Sequence, residues 1–140
     1  MNEIEKRIEN FKEDFDLFDD ELEKYEYIVD LGKKVKDIDE SFKSDEYLVQ
    51  GCTSLVWLAP DFKDGKLYFK GTSEAIIVKG LVHIMISIFS GHLAKDLIEF
   101  DTKKLDQLQL KEIITPNRQS GLAGMLNKII SYAKDYNGKS

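Results

Sequence analysis

The sequence predicts an α+β domain of two layers, in which a small antiparallel three-stranded sheet packs against helices. Three observations lead to this fold class. Apolar residues recur at helical spacing near both ends of the chain, branched and aromatic residues cluster in short runs between residues 47 and 71, and the turn-forming pair Asp64-Gly65 separates two of these runs. Helices that precede and follow a group of strands are typical of the α+β class.

The N-terminal third predicts two amphipathic helices, over residues 2–18 and 20–31. Gly32 is expected to end the second helix in a left-handed conformation. Residues 36–46 show no period and are expected to form a loop. The side chains predicted to face inward are Ile4, Ile8, Phe11, Phe15 and Phe18 in the first helix and Leu22, Tyr25, Ile28 and Val29 in the second.

The middle of the chain predicts three antiparallel strands, near residues 47–50, 54–59 and 66–71. The Asp-Gly pair between the last two is a strong signal for a hairpin turn. Gly51 and Cys52 interrupt the first two strands. Because glycine permits backbone angles that a strand interior does not need, we expect Cys52 at the tip of the first hairpin.

The remainder of the chain predicts helices. Ser73 is the expected N-cap of a helix that runs to residue 89, with Glu74 favourably placed in its first turn. This helix is apolar nearly all round, so it is expected to be the most buried one. Further helices are predicted near residues 94–99, 104–110 and 117–136.

Length and composition indicate one domain that covers residues 1–140. The 42% hydrophobic and 33% charged residues are ordinary for a globular protein. The most apolar stretch, residues 75–89, contains Lys79 and His83 and is too short and polar to span a membrane. The charged N-terminus lacks the apolar core of a secretory signal, so we expect a cytoplasmic protein that does not act at a membrane.

The charge distribution argues against nucleic acid as a partner. The chain has a net charge of −6, whereas nucleic-acid-binding surfaces are basic. Residues 1–50 hold 17 acidic and 8 basic residues, a net of −9, and residues 51–140 hold 9 and 12, a net of +3. The acidic third is interpreted either as solvated helix faces or as a docking surface for a basic partner.

Cys52 is the only cysteine, which excludes an internal disulfide framework and a thiolate-rich zinc site. A lone cysteine is often a small buried residue, but the hairpin tip favours a reactive thiol. His83 is expected in the core and His92 in solvent, so neither is an evident base, and their spacing fits no metal site. Exchange with a sulfur–sulfur bond on a partner needs only an accessible thiolate. Arg118, at a predicted helix start, is interpreted as a fixed polar contact or as an exposed charge.

Three sequence blocks, in this order, carry a resemblance to a known family. They are VQGCTSLVWL around Cys52, GTSEAIIVKGL from Gly71 to Leu81, and ITPNRQSGLAGM from Ile114 to Met125. Together with YEYIVDLGKKV, from Tyr25 to Val35, they make the chain strongly resemble the SufE family of sulfur-acceptor proteins. The combination is specific, whereas any one block alone would be weak.

The resemblance implies a SufE/IscU-like α+β fold and a role in iron–sulfur cluster assembly. The implied partner is a SufS-type cysteine desulfurase, which carries pyridoxal phosphate and holds sulfur from free cysteine as a persulfide. Cys52 would accept this sulfur and relay it to an iron–sulfur scaffold complex, and the protein would stimulate the desulfurase. The domain itself would hold no cofactor and no metal, only a covalent persulfide.

The resemblance also implies which residues support the acceptor. The family often has glutamine where Thr53 and Leu55 stand here, and this difference implies altered partner contacts. The implied supporting residues are Gly51, Thr53 and Ser54 in the loop, Glu74 beside the predicted cap, and Arg118 at the start of the last helix.

Two functions from different classes remain open at this point. In the first, the protein is a sulfurtransferase component whose Cys52 is covalently modified in each turnover. In the second, it is a non-catalytic docking partner that activates a desulfurase, and Cys52 is structural. Gain of one sulfur atom at Cys52 would distinguish the first function from the second.

Overall fold

The structure, a computed structural model, describes residues 2–139. Two helices come first along the chain. Two strands then precede a central helix and a third strand follows it, and the three strands form one antiparallel sheet. A long helix ends the fold. This arrangement confirms the predicted α+β class. The elements are α1 Glu3–Asp16, α2 Glu21–Gly32, β1 Val56–Lys63, β2 Lys66–Ser73, α3 Ile76–Phe89, β3 His92–Leu93, α4 Ala94–Glu99 and α5 Pro116–Tyr136. Short 3-10 segments are Glu40–Phe42, Asp45–Tyr47, Thr102–Leu108 and Leu110–Glu112.

Helix α3 forms the centre of the core, as its all-round apolar sequence predicts. Its buried residues include Leu81, Val82 and Ile84, whose exposed fraction is 0%. Helices α1, α2 and α5 and strand β2 all pack against it. No helix described between residues 2 and 139 has the length and apolar character that crossing a membrane requires.

Helices α2 and α3 approach each other closely at two glycines. A Cβ added to Gly80 would lie 2.0 Å from the carbonyl oxygen of Ile28, and one added to Gly32 would lie 2.9 Å from the backbone nitrogen of Gly80. The predicted left-handed conformation of Gly32 is wrong, because this residue is the last of α2 and does not have a positive φ. Its role is to allow the two helices to touch.

The sheet has the order β1-β2-β3. Strands β1 and β2 form the predicted hairpin, in which Asp64 and Gly65 have φ values of 52° and 80°. Positive φ at both positions is the conformation of a type I′ turn, one of the two common two-residue hairpin turns. The third strand differs from the prediction, because it is β3, where His92 pairs with Leu67 of β2.

Residues 47–50 do not form the predicted strand. A 3-10 segment, Asp45–Tyr47, comes first, and only Leu48 then forms a bridge to Trp57 of β1. The ladder stops because the chain leaves the sheet and turns onto α5, where the carbonyl group of Gln50 packs over a helix glycine.

Three further helix predictions need correction. Ser73 ends β2 instead of capping α3, although its Oγ still accepts a hydrogen bond from the backbone N–H of Ala75, at 3.2 Å. Leu22, predicted to face inward, is 65% exposed. The helix predicted near residues 104–110 is the 3-10 segment Thr102–Leu108.

Candidate functional site: the Cys52 loop and its seat on α5

Cys52 lies in a loop, residues 50–55, that leads into β1. At the base of the loop, the backbone N–H of Val49 donates to the carbonyl oxygen of Val56 at 2.8 Å. Gly51 has a φ of +85°, a left-handed conformation that favours glycine. These two features produce the reversal that the sequence predicted for the segment beside the cysteine.

The other end of the loop is fixed to the junction between β2 and α3. The carbonyl oxygen of Leu55 accepts hydrogen bonds from the Ser73 hydroxyl, at 2.8 Å, and from the Glu74 backbone N–H, at 3.4 Å. Ser73 is buried whereas Leu55 is partly exposed, so this hydrogen bond is partly shielded from water. Because both ends are held, movement of the loop is confined to the residues between Val49 and Leu55.

Helix α5 provides a seat for this loop. A Cβ added to Gly121 would lie 2.3 Å from the Cys52 sulfur, and one added to Gly124 would lie 2.1 Å from the carbonyl oxygen of Gln50. Both distances are far below a normal contact, so only glycine fits at either position unless the loop moves. The two glycines are three residues apart and therefore share one face of the helix. We call Gly121 and Gly124 the glycine seat.

The seated thiol is shielded rather than activated. Burial raises the pKa of Cys52 above its ordinary value, and a backbone hydrogen bond from Ser54 acts more weakly in the opposite direction. Cys52 is half-buried, so at neutral pH it is largely the protonated thiol. A protonated thiol is a poor nucleophile and reacts slowly with oxidants.

The structure brings four of the predicted supporting residues to the Cys52 loop. Gly51 and Thr53 are exposed and Ser54 is half-buried within the loop itself. Glu74 is exposed, and it is joined to the loop through its backbone rather than through its carboxylate. It therefore lies beside the loop, and the prediction that it stands in the first turn of α3 is wrong, because that helix begins later.

Arg118 is half-buried in the first turn of α5. It precedes Gly121 by three residues, so α5 carries both residues on the same side. This spacing places Arg118 one turn before Gly121, near the side of α5 on which the Cys52 loop rests. That its charge influences the thiol or a partner stays a prediction.

His92 was predicted to be solvated, and this is wrong. It is 6% exposed, and its Nε2 lies 2.8 Å from the carbonyl oxygen of Ile88 and 3.2 Å from Nη1 of Arg7. The sheet pairs it with Leu67, which is about 20 Å along β2 from Ser73 at the usual rise per strand residue. His92 is therefore not positioned to act as a base for Cys52.

The other histidine, His83, is half-buried in α3 rather than enclosed in the core. Burial lowers its pKa, and the nearby charge of Lys34 lowers it further. In the part of the chain that the structure describes, residues 2–139, His, Cys, Asp and Glu side chains form no group of three or more that could hold a metal ion.

The glycine seat was not predicted from the sequence. The signal was present, since Gly121 and Gly124 interrupt a helical pattern in SGLAGM one turn apart. A glycine inside a helix costs about 1 kcal/mol relative to alanine, so two on one face indicate a close approach by another segment. The tie between Leu55 and Ser73 had no such signal, because it depends on how β2 and the loop meet in space.

The chain is similar to known proteins over most of its length. Residues 9–133 match the family described as SufE, Fe-S metabolism associated domain. The chain belongs to the SufE family. An uncharacterized SufE-like protein of Rhizobium meliloti is 36% identical over 127 residues, which cover 87% of this chain and 91% of that protein. A second SufE-like protein, from Rhizobium etli, is 33% identical and matches 87% of this chain and 86% of its own length.

The same fold occurs in a solved structure. The solution structure of a hypothetical protein from Thermus thermophilus superimposes with a TM-score of 0.75, covering 92% of this chain and 94% of that one. The two sequences are 18% identical, so this likeness concerns the fold alone. Membership of the SufE family associates the chain with iron–sulfur metabolism.

Proposed function

We propose that this protein accepts sulfur on Cys52 from the persulfide of a SufS-type cysteine desulfurase and passes it on toward iron–sulfur cluster assembly. The observation that carries the proposal is the position of the only cysteine in the sequence, on a turn that is anchored at both ends and seated on α5. A thiol on such a turn is able to meet a partner's sulfur without unfolding of the domain around it.

The transfer step balances without an added oxidant or reductant. The Cys52 thiolate attacks the terminal sulfur of the desulfurase persulfide, and a new sulfur–sulfur bond forms on Cys52. The original sulfur–sulfur bond breaks, and its electron pair leaves with the desulfurase cysteine as a thiolate. The Cys52 proton passes to solvent, and the leaving thiolate takes up a proton in turn.

The seated thiol must leave α5 before it reacts, because burial holds the pKa of Cys52 above its ordinary value. Movement of the segment between Val49 and Leu55 would expose the sulfur and remove the cause of the raised pKa. Binding of the desulfurase supplies the differential contact that such a shift requires. Between turnovers, the glycine seat protects the thiol from oxidation.

The remaining parts of the proposal follow from the family. The domain uses no cofactor of its own, carries sulfur as a covalent persulfide, and depends on the pyridoxal phosphate of its partner. Its binding stimulates the desulfurase, because removal of the persulfide sulfur frees the desulfurase for the next turnover. An iron–sulfur scaffold complex in the cytoplasm is the recipient that we propose.

The test is mass spectrometry of the intact protein after incubation with a SufS-type desulfurase and free cysteine. We expect a gain of one sulfur atom at Cys52 and no gain in Cys52→Ser, because serine is nearly isosteric but cannot form a persulfide. Cys52→Ser should unfold at the same denaturant concentration as the wild type. Absence of added sulfur on the wild-type protein would contradict the proposal.

The alternative, a docking partner with a structural cysteine, draws support from the packing of the Cys52 sulfur against Gly121. It predicts the reverse pattern for the same variant. Cys52→Ser would then lose stability by roughly 1–3 kcal/mol, because its hydroxyl is buried without a partner. Stimulation of the desulfurase would survive the substitution.

A further inference from the structure

The pairing of β1 with β2 ends beside the Cys52 loop, and a side chain continues it by one step. Ser73 is the last residue of β2 and pairs with Val56, the first residue of β1. The next backbone bond, from the Glu74 N–H to the Leu55 carbonyl oxygen, is 3.4 Å long, which exceeds the usual range for such bonds. The Ser73 hydroxyl donates to the same oxygen at 2.8 Å. The shorter bond to Leu55 at this end of the loop therefore comes from a side chain.

A second hydrogen bond fixes the direction of the Ser73 hydroxyl. Its oxygen accepts from the backbone N–H of Ala75 at 3.2 Å, so its proton is directed at the Leu55 carbonyl oxygen. Ser73 is 2% exposed, which leaves water little access to its side of the bond. Ser73 thus joins the N-terminal end of α3 to the end of the Cys52 loop. We call the hydrogen bond from Ser73 to Leu55 the latch.

The latch shortens the part of the loop that is free to move. At the base of the loop, the Val49 N–H donates to the Val56 carbonyl oxygen. With the latch formed, Cys52 is three residues from a held residue on either side, so its Cα atom lies within about 11 Å of both. Without the latch, the nearest firmly held residue on the β1 side is Val56, four residues away, and this limit rises to about 14 Å. The latch therefore reduces the volume that the thiol is able to explore.

We propose that Ser73 is a positioning residue for sulfur transfer, which acts through the Leu55 carbonyl group to aim the Cys52 thiol at the partner's persulfide. The inference rests on the proposed function and adds a residue that acts through the loop backbone. In the free protein, the latch helps to keep the thiol in the glycine seat. In the complex, where the thiol has left the seat, the latch still limits its position, and correct placement of two reacting groups accelerates their reaction. The same hydrogen bond therefore slows side reactions of the free thiol and accelerates transfer.

The experiment compares Ser73→Ala with Thr72→Val in the full chain. Both substitutions remove a buried hydroxyl near the end of β2, but Thr72 lies on the other face of the sheet, because side chains alternate along a strand. Alkylation of Cys52 in free Ser73→Ala should be about fivefold faster than in the wild type, which corresponds to the net contribution of one hydrogen bond. Single-turnover transfer from a saturating, persulfide-loaded SufS-type desulfurase should be slower by about the same factor. Thr72→Val should leave both rates at their wild-type values.

Opposite changes in the two rates distinguish positioning from a purely structural role. The desulfurase concentration that gives half the maximal transfer rate should not change in Ser73→Ala, because the side chain is buried and makes no contact with a partner. Ser73→Thr keeps the hydroxyl and should recover both rates in part. A wild-type value of either rate in Ser73→Ala, with sulfur still appearing on wild-type Cys52, would overturn the inference and leave the acceptor role intact. Absence of sulfur on wild-type Cys52 would instead overturn the proposed function, and the positioning role with it.

Discussion

Two helix faces in this protein use glycine for the same geometric purpose but with different consequences. At the crossing of α2 and α3, Gly80 brings its helix against the backbone of Ile28 in the middle of the core. On α5, the glycine seat brings the helix against the Cys52 loop at the surface. Both faces leave no room for a Cβ, but the core crossing joins two regular helices and the seat holds a short irregular segment.

The difference shows that the segment packed against a helix glycine decides whether the contact is rigid or can open. Ile28 is fully buried and belongs to a regular helix in which Leu31 and Gly32 are buried as well. Cys52 is half-buried, and only the two ends of its loop are held by hydrogen bonds to the body of the domain. The core crossing is therefore expected to contribute to the stability of the fold, and the glycine seat is expected to control the exposure and reactivity of the Cys52 thiol.

The largest expected effect is that of Gly80→Ala on stability. The added Cβ would meet a carbonyl oxygen at 2.0 Å, so the two helices must separate, and we expect a loss of about 3 kcal/mol in the free energy of unfolding. Denaturant unfolding measures this loss. Gly32→Ala is the graded control, because its nearest contact is 2.9 Å and its cost should be smaller. Wild-type stability in Gly80→Ala would show that the crossing is not rigid.

Gly121→Ala should change the reactivity of the thiol instead of the fold. The added Cβ displaces the Cys52 sulfur toward solvent, so we expect alkylation of Cys52 at neutral pH to become several-fold faster. The better helix propensity of alanine, about 1 kcal/mol, offsets lost packing, so the free energy of unfolding should change little. The pH dependence of alkylation should show a lower thiol pKa than in the wild type.

The neighbouring exposed residue provides the control for Gly121→Ala. Ser120→Ala alters the same turn of α5 without filling the seat, and its alkylation rate should equal that of the wild type. If Gly121→Ala lost as much stability as Gly80→Ala, the glycine seat would be part of the core. Addition of the desulfurase should accelerate alkylation of the wild-type protein more than that of Gly121→Ala, because the Cys52 loop of the variant is already displaced from the glycine seat.

Elements whose contacts are local could be predicted from the sequence. The period of α1, the apolar composition of α3 and the Asp64-Gly65 turn each depend on residues that are neighbours in the chain. The turn that carries Cys52 could be predicted in the same way, because the glycine beside it indicates a turn. The resemblance to the SufE family then named the cysteine's expected role.

The errors arose where distant segments decide the outcome. His92 was expected in solvent because it follows Gly91, but pairing with Leu67 encloses it. The strand predicted at 47–50 does not form, because the chain packs onto α5 at Gln50 instead of continuing to pair with β1. The two glycines of the seat indicate that some segment approaches α5 closely, but no local pattern shows that this segment is the Cys52 loop, since Cys52 and Gly121 are 69 positions apart in the sequence.

Arg118→Ala should produce a smaller effect than Gly121→Ala, and on transfer rather than on fold. Arg118 shares its side of α5 with the glycine seat, so its guanidinium is expected to stabilise the thiolate or a contact of the partner. We expect slower sulfur transfer to Cys52 with an unchanged free energy of unfolding. Arg118→Lys, which keeps the charge, should recover part of the rate. A wild-type rate in Arg118→Ala would identify this residue as an exposed helix-end charge.

The smallest expected effect is the pH dependence of stability at the C-terminal end of α3, where buried polar contacts hold the helix end. Nη1 of Arg7 donates to the carbonyl oxygens of Ser87, at 3.0 Å, and of Ser90, at 2.6 Å. His92 lies against the same guanidinium. Burial lowers the pKa of His92, and the charge of Arg7 adds to this, although the hydrogen bond to Ile88 and the charges of Glu3 and Asp96 act in the opposite direction.

The sign of the pH effect follows from this lowered pKa. As pH falls below the ordinary histidine pKa of about 6.5, the unfolded chain binds a proton that the folded His92 resists. The folded state should therefore lose stability between neutral pH and the lowered pKa, and a variant without this histidine should lose less. Denaturant unfolding of the wild type and of His92→Gln at neutral and acidic pH measures the difference, with His83→Gln as the control for the second histidine whose pKa is lowered. If the gap in stability between wild type and His92→Gln does not change with pH, His92 is not the titrating group, and the contacts at this end of α3 tolerate its charge.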